Sequence, residues 1–339
     1  MTAFLAFIIM FPVIVFAHEL GHFLLARAFG VRVEKFSIGF GKSLYKWTDR
    51  RGTIWKIGVF PFGGYVKIYG QSDTPKKAEE AASLEDTNVH FEHKKTWQKA
   101  AMFAAGPAFN FLFAILLFWG YLLARGEPKA HISIVTDVLA GSVAEKAEIK
   151  ANDVIEGDVR NIVSASEGRT VALSVNAKPV SITPQEDCGR FIIGVKYSLE
   201  AVEYRRLGLL SAAAGSLAMA WDASAKTLSA LGQMITGSRS PRELGGMITI
   251  SEIGGRALAS GFLTFIYVVA LISLNLGLIN LLPIPMLDGG YLLLYLVEAC
   301  IRRKVPERAK SLAFNIGFGI VIALMIYANL NDILRLFGK

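Results

Sequence analysis

The chain has 339 residues, of which 53% are hydrophobic and only 19% charged, with a formal net charge of +8. A mean hydropathy of +0.43 excludes an ordinary soluble globular protein. Nucleic acid is excluded as a partner because the basic residues fall between apolar segments rather than along an aromatic-studded stripe.

The first predicted element is a retained membrane helix over about Phe4–Phe29, within segment 1–30. It carries His18-Glu19-Leu20-Gly21-His22 inside an apolar run. Positions i and i+4 share a helix face, so His18 and His22 can hold one metal ion, with Glu19 beside them to take a proton from water. This is the HExxH pattern of zinc proteases. Ionisable groups at membrane depth are costly and mark function, so the pattern points to hydrolysis within the bilayer.

Segment 31–99 follows, with 13 Lys/Arg against 8 Asp/Glu. That excess predicts a cytoplasmic loop. Within it, Thr53–Tyr69 is rich in Ile, Val, Phe and Tyr and has Gly63-Gly64 in its middle, which predicts a β-hairpin dipping towards the membrane. Gln71–His93 is polar and predicted to be a loop, with His90 and His93, like His131 further on, at the surface. The second span, about Ala100–Leu123 in segment 100–124, contains Pro107 and Asn110.

Segment 125–200 is close to neutral and predicted to lie outside. Its Gly141–Ile155 stretch is similar to a PDZ core, a module that binds extended peptides by strand addition. From Ile155 to Asp158 the chain runs more directly into a helix than that pattern does. Segment 201–260 holds a helix over Leu207–Gly237, read equally as lying on the membrane surface or packing on the spans. The two cysteines, Cys188 and Cys300, are assigned to opposite sides of the membrane, so no disulfide is expected.

The third span, about Phe262–Leu282 in segment 261–290, leads into Asn280-Leu-Leu-Pro-Ile-Pro-Met-Leu-Asp-Gly-Gly290. Asp288 would either cap the next helix or supply a third metal ligand. With HExxH in another span, the ligand reading is preferred, because catalytic zinc takes three protein ligands and keeps one position open. The loop 291–311 is again basic and predicted cytoplasmic. A fourth span, about Leu312–Leu330 in segment 312–339, completes a chain whose termini would both be periplasmic.

The pairing of HExxH with Asn-x-x-Pro-x-Pro-x-Leu-Asp-Gly-Gly resembles the site-2 protease family of intramembrane metalloproteases, most of all its bacterial regulator-of-sigma-E branch. Gly106-Pro-Ala-Phe-Asn110 is similar to that family's Gly-Pro-x-x-Asn motif, and Phe60–Lys67 to its membrane-re-entrant hairpin. The resemblance covers nearly the whole chain. It departs in leaving room for one PDZ-like domain instead of two, and in reading Gly246-Met-Ile-Thr-Ile where the branch has a Gly-Pro-Ile-Ser-Ile type.

The resemblance implies an α-helical polytopic membrane protein with about four transmembrane helices, a membrane-re-entrant β-hairpin and one periplasmic PDZ-like αβ domain, in a bacterial inner membrane. It implies Zn2+ held by His18, His22 and Asp288, with Glu19 as general base. Asn280, Asn110, Gly63, Gly64 and Tyr65 would meet the substrate. That substrate would be a single-span membrane protein, such as an anti-sigma factor, or a leftover signal peptide. On residues alone, a non-catalytic PDZ scaffold and a proton-relay transporter remain alternatives.

Overall fold

The computed structural model describes residues 2–71, 89–187, 190–238, 240 and 245–337. Two compact units emerge, one of residues 122–212 and one of the remainder.

In the larger unit, α1 (Thr2–Ala28) ends with Arg27 in its last turn, where a cation complements the helix dipole. Two long strands follow, β1 (Val33–Thr48) and β2 (Ile54–Ile68). Here the structure corrects the expected hairpin. Residues 53–69 do reverse direction between 57 and 64, but their two arms do not pair with each other; they flank 33–38 instead. The tight turn is Asp49–Thr53, closed by Asp49 N–H to Thr53 O at 3.0 Å and Gly52 N–H to Asp49 O at 3.0 Å.

The pairing explains why. β1 residues 43–48 pair antiparallel with 54–58, while 33–38 have partners on both sides, 54–57 and 64–68. The start of β1 is thus the centre of a sheet that β2 wraps. Positive φ at Gly39, Gly41 and Gly63 permits these bends. Phe36, at 1% exposure, anchors the sheet. Its ring stacks on Trp55 at 4.4 Å and meets Phe23 of α1 edge-on at 5.5 Å.

The loop after β2 is corrected at its end as well. His90 and Phe91 are buried, with His90 only 1% exposed, so His90 is not a surface residue. Its ring packs on Tyr69 and lies directly over Gly70. His93 is exposed as expected, and His131 is half-buried. Most of the predicted polar loop, residues 72–88, lies outside the described residues, as does Cys188.

The chain re-enters as α2 (Thr96–Arg125), a continuous helix despite Pro107. The smaller unit then begins. It builds a five-stranded sheet in the order β6-β5-β4-β3-β9. These strands are β3 (Glu127–Val138), β4 (Val154–Glu156), β5 (Val171–Val175), β6 (Lys178–Ile182) and β9 (Val195–Arg205). A two-stranded ribbon pairs β7 (Gln185–Asp187) with β8 (Arg190–Ile192).

Two short helices complete the unit, α3 (Val143–Lys146) and α4 (Val159–Ala165). Ser142 caps the first by accepting from the Glu145 N–H, and Asp158 the second by accepting from the Arg160 N–H. Val135, Ile155 and Leu173 lie at the centre of its core. The helix at Val159 falls where the sequence placed it, directly after Asp158.

The larger unit resumes with α5 (Leu209–Ile235). Ala220 of this helix joins a cluster with Ala114 and Phe118 of α2. Between its two readings, packing on the spans holds. Next come α6 (Met247–Ala259), α7 (Phe262–Asn280), α8 (Asp288–Ile301) and α9 (Glu307–Phe337). Gly255 lets α6 lie on α1, since a Cβ there would stand 2.6 Å from Ala3 Cα. Asp332, buried near the end of α9, accepts from the Thr249 N–H at 2.9 Å and hydroxyl at 2.5 Å in the first turn of α6. It does the work of an N-cap that Gly246 cannot do.

Among the described residues four helices, α1, α2, α7 and α9, are long and apolar enough to cross a membrane. They cover the four predicted spans, with α9 starting five residues before and ending seven residues after its expected limits.

Candidate metal centre and active site

α1 presents His18 and His22 on one face, one helical turn apart. α8 begins at Asp288. The helix-cap alternative for this residue fails on position. Leu287 is the N-cap, and Asp288 is the first helical residue, so its carboxylate is not spent on capping.

The carboxylate points at the histidines instead. Asp288 Oδ2 lies 3.2 Å from His18 Nε2 and 3.5 Å from His22 Nε2. The two Nε2 atoms are 3.3 Å apart. Two ligands at zinc–nitrogen distance on a tetrahedron stand about 3.3 Å apart, so the triangle has the right size for one ion. The chemistry fits too, because Asp288 Oδ2 is buried without a hydrogen-bond partner. An orphaned carboxylate oxygen facing two imidazoles is what a cation would satisfy. Among the described residues these three form the one group of His, Cys, Asp or Glu able to hold a metal ion.

Glycine explains how Asp288 gets there. A Cβ at Gly289 would stand 2.2 Å from Leu282 O, and one at Gly290 2.4 Å from Ile284 O. Only glycine lets the loop 281–287 fold onto the first turn of α8. Met286 in that loop holds φ of +84°, a sparsely populated conformation for a side-chain-bearing residue and one that gathers at functional sites.

The histidines are held from α2. His22 Nδ1 lies 2.8 Å from Met102 O, so Nδ1 carries a proton, and in the neutral ring Nε2 is the nitrogen free to ligate. Asn110, fully buried, places its side-chain amide 3.2 Å from His18 Nδ1. The helices approach closely because a Cβ at Gly21 would stand 2.3 Å from Ala105 O. At the next residue, a Cβ at Gly106 would stand 2.2 Å from His22 Nε2 and 2.8 Å from His18 Cε1. Gly106→Val is therefore expected to displace both rings. Zinc content of the purified variant, measured beside wild type, should fall below half, and full occupancy would contradict this packing.

Glu19 is buried beside the histidines, at 9% exposure. Val66 of β2 lies beside it, with its backbone N–H facing the carboxylate. Gly64 lies against it, since a Cβ there would be 3.1 Å from Glu19 Cγ. The cavity, about 210 Å³, is lined by His18, Glu19, His22 and Asp288 together with Gly64, Tyr65 and Val66 of β2 and Phe103 of α2.

Of the residues singled out in the sequence, His18, Glu19, His22, Asp288, Gly64 and Tyr65 therefore meet in one cavity, with Asn110 behind His18. Gly63 faces the Phe40 ring and does not line the cavity. Asn280 is the last residue of α7 and does not line it either. Sequence reasoning missed Met102, whose carbonyl holds His22, and Phe103, whose ring stacks on Tyr291 at 4.2 Å. A main-chain acceptor leaves no trace in residue type, so only their place one turn before Gly106 could have marked them.

Comparison with known proteins bears on this geometry directly. The pattern of Peptidase family M50 matches residues 6–324. A Rickettsia conorii protein named as a zinc metalloprotease is 36% identical over all of both chains. A similarly named Rhizobium meliloti protein is 35% identical over 98% of this chain and 96% of its own. Metalloprotease MmpA of Caulobacter vibrioides is 32% identical over 95% of this chain and 93% of its own. With a family match over nearly its whole length and four helices fit to span a bilayer, the chain belongs to the M50 peptidases, a family of zinc-dependent membrane metalloproteases.

Proposed function

We propose that this protein is an intramembrane endopeptidase that cuts single-span membrane proteins within or beside their transmembrane segments. The observation carrying this is the convergence of His18, His22 and Asp288 around one point, with Glu19 alongside, at the meeting of two apolar helices and a short loop.

His18 and His22 through Nε2, and Asp288 through Oδ2, would hold the zinc. When bound, zinc polarises the scissile carbonyl and lowers the pKa of water. Glu19 takes a proton from the attacking water and returns it to the leaving amine. His22 is oriented by Met102 O. In the structure Asn110 Nδ2 faces His18 Nδ1 and Oδ1 is buried without a partner; for His18 Nε2 to ligate, Nδ1 must carry the proton, so the amide would flip to present Oδ1 as its acceptor. Asn110 is thus a positioning residue.

Strand β2 supplies the substrate platform. Residues 64–68 pair with β1, and Gly64, Tyr65, Val66 and Ile68 line the cavity. An extended substrate would add there as a strand, alongside Gly64 and Tyr65. Asn280 and Gly63 would act from just outside the cavity. A transmembrane helix has its amides bonded internally, so it must unwind before it can pair.

The experiment compares two single-span substrates, one Ala/Leu-rich and one carrying Gly and Pro near the cut. The helix-breaking span is expected to be cut several-fold faster. Equal rates would remove unwinding from the account.

The basic loops favour a bacterial inner membrane with both termini periplasmic and unit 122–212 outside, acting as a PDZ-like peptide-binding module. Anti-sigma factors and remnant signal peptides are the substrates the family resemblance suggests.

A further inference from the structure

Glu19 is held from outside its own helix by β2, so whatever fixes β2 against α1 fixes the catalytic carboxylate. The link is a polar cluster at the end of α1. Arg27 is two turns beyond Glu19. Its guanidinium donates to Asp49 Oδ2 and, at 2.9 Å, to Thr53 Oγ1, and lies 4.3 Å over the Phe23 ring.

Asp49 organises the β1–β2 turn. Its Oδ1 accepts from the Arg51 N–H at 2.9 Å and the Thr53 N–H at 3.1 Å, and its Oδ2 accepts from Trp55 Nε1 at 3.1 Å. Thr53, 1% exposed, donates its hydroxyl to Val33 O at 2.7 Å. One guanidinium therefore ties the helix to the turn and, through Thr53, to the first residue of β1. Val33 pairs with Ile68, and Phe36 with Val66, which lines the cavity beside Glu19.

We infer that Arg27 and Asp49 form a clasp that registers the β1–β2 sheet on the HExxH helix and so sets the position of Glu19. This rests on Glu19 being the proton-transfer group. The clasp touches neither the substrate nor the metal ligands, so both are positioning residues. Burial disfavours charge on Asp49. The indole of Trp55, the Thr53 and Arg51 amides and the guanidinium outweigh it and hold the carboxyl at about 2, so the pair stays ionised throughout the neutral range. Arginine is the cation suited to holding a carboxylate and a hydroxyl at once while lying on an aromatic face.

The test purifies the full chain as wild type, Arg27→Ala, Arg27→Lys, Asp49→Asn and Glu19→Gln. It measures kcat and KM on one single-span substrate, zinc content and thermal stability. Displacement of a catalytic group by an ångström costs up to about a hundredfold. Arg27→Ala and Asp49→Asn are expected to lose about ten- to a hundredfold in kcat while keeping zinc and an unfolding temperature within a few degrees of wild type. Asp49→Asn retains the side-chain oxygen that the turn amides need, so its loss reads the contacts of Oδ2 alone, to Arg27 and to the Trp55 indole. Arg27→Lys restores the charge and should recover part of the rate.

Wild-type kcat in Arg27→Ala, or a loss that simply follows zinc content or unfolding, would overturn the clasp. Full activity in Glu19→Gln would instead overturn the reading beneath it, so the two failures are separable.

Discussion

Asp288→Ala is expected to lose its zinc. Removing a partner that merely orients a zinc ligand typically weakens binding by about ten- to a hundredfold. Removing a ligand goes further, so the affinity should fall by more than about a hundredfold. The fold should survive, because α8 does not depend on this side chain. Leu287 is its N-cap, and the loop closes through the Leu287 N–H to Ile284 O at 3.1 Å and the Gly290 N–H to Leu287 O at 3.0 Å. Removal even relieves a buried oxygen that has no hydrogen-bond partner. Metal analysis after dialysis against a weak chelator reads the outcome. Retained zinc would mean that Asp288 is not a ligand.

Glu19→Gln should give the opposite combination, an inert protein that keeps its metal. Glutamine has the size and shape of glutamate. It can fill the same space against Gly64 and beside Val66. It cannot take a proton from water. Loss of a general base usually costs about a hundred- to ten-thousandfold in rate, and here the same carboxylate must return the proton to the leaving amine. A fall beyond about a thousandfold in kcat, with zinc near wild type, is expected. Single-turnover cleavage assays in detergent reach that range.

Together the two variants separate holding the metal from using it. A scaffold would show no rate to lose, and a proton relay would need no zinc.

Much of the candidate metal site was legible because its information is local. His18 and His22 are four positions apart on a helix, and apolar neighbours make their presence costly. Asp288 was legible through its glycine neighbours, whose missing Cβ atoms turned out to be necessary for the loop above them. The four spans were legible from length and hydropathy.

The sheet was less so. Its central segment, Val33–Ile38, sits between two pieces of one later strand, and such non-local pairing leaves no local signal. Residues 40–48 are all exposed, which gave β1 no alternation to read. His90 looked like a surface residue because Glu92, His93, Lys94 and Lys95 surround it in sequence, yet it is its packing against Tyr69 and Gly70 that buries it. Asn280 was chosen from a motif. Its place at the end of α7 puts it beside the loop that carries Asp288, and the cavity is lined by other residues.

The most direct measurement is cleavage of a tagged single-span substrate by purified protein in detergent, wild type beside Glu19→Gln, with the cut mapped by mass spectrometry and zinc measured in both. The account predicts a cut within or at the edge of the apolar span by the wild type, none by the variant, and about one zinc per chain in each. A zinc-loaded Glu19→Gln protein that still cuts the substrate would contradict it.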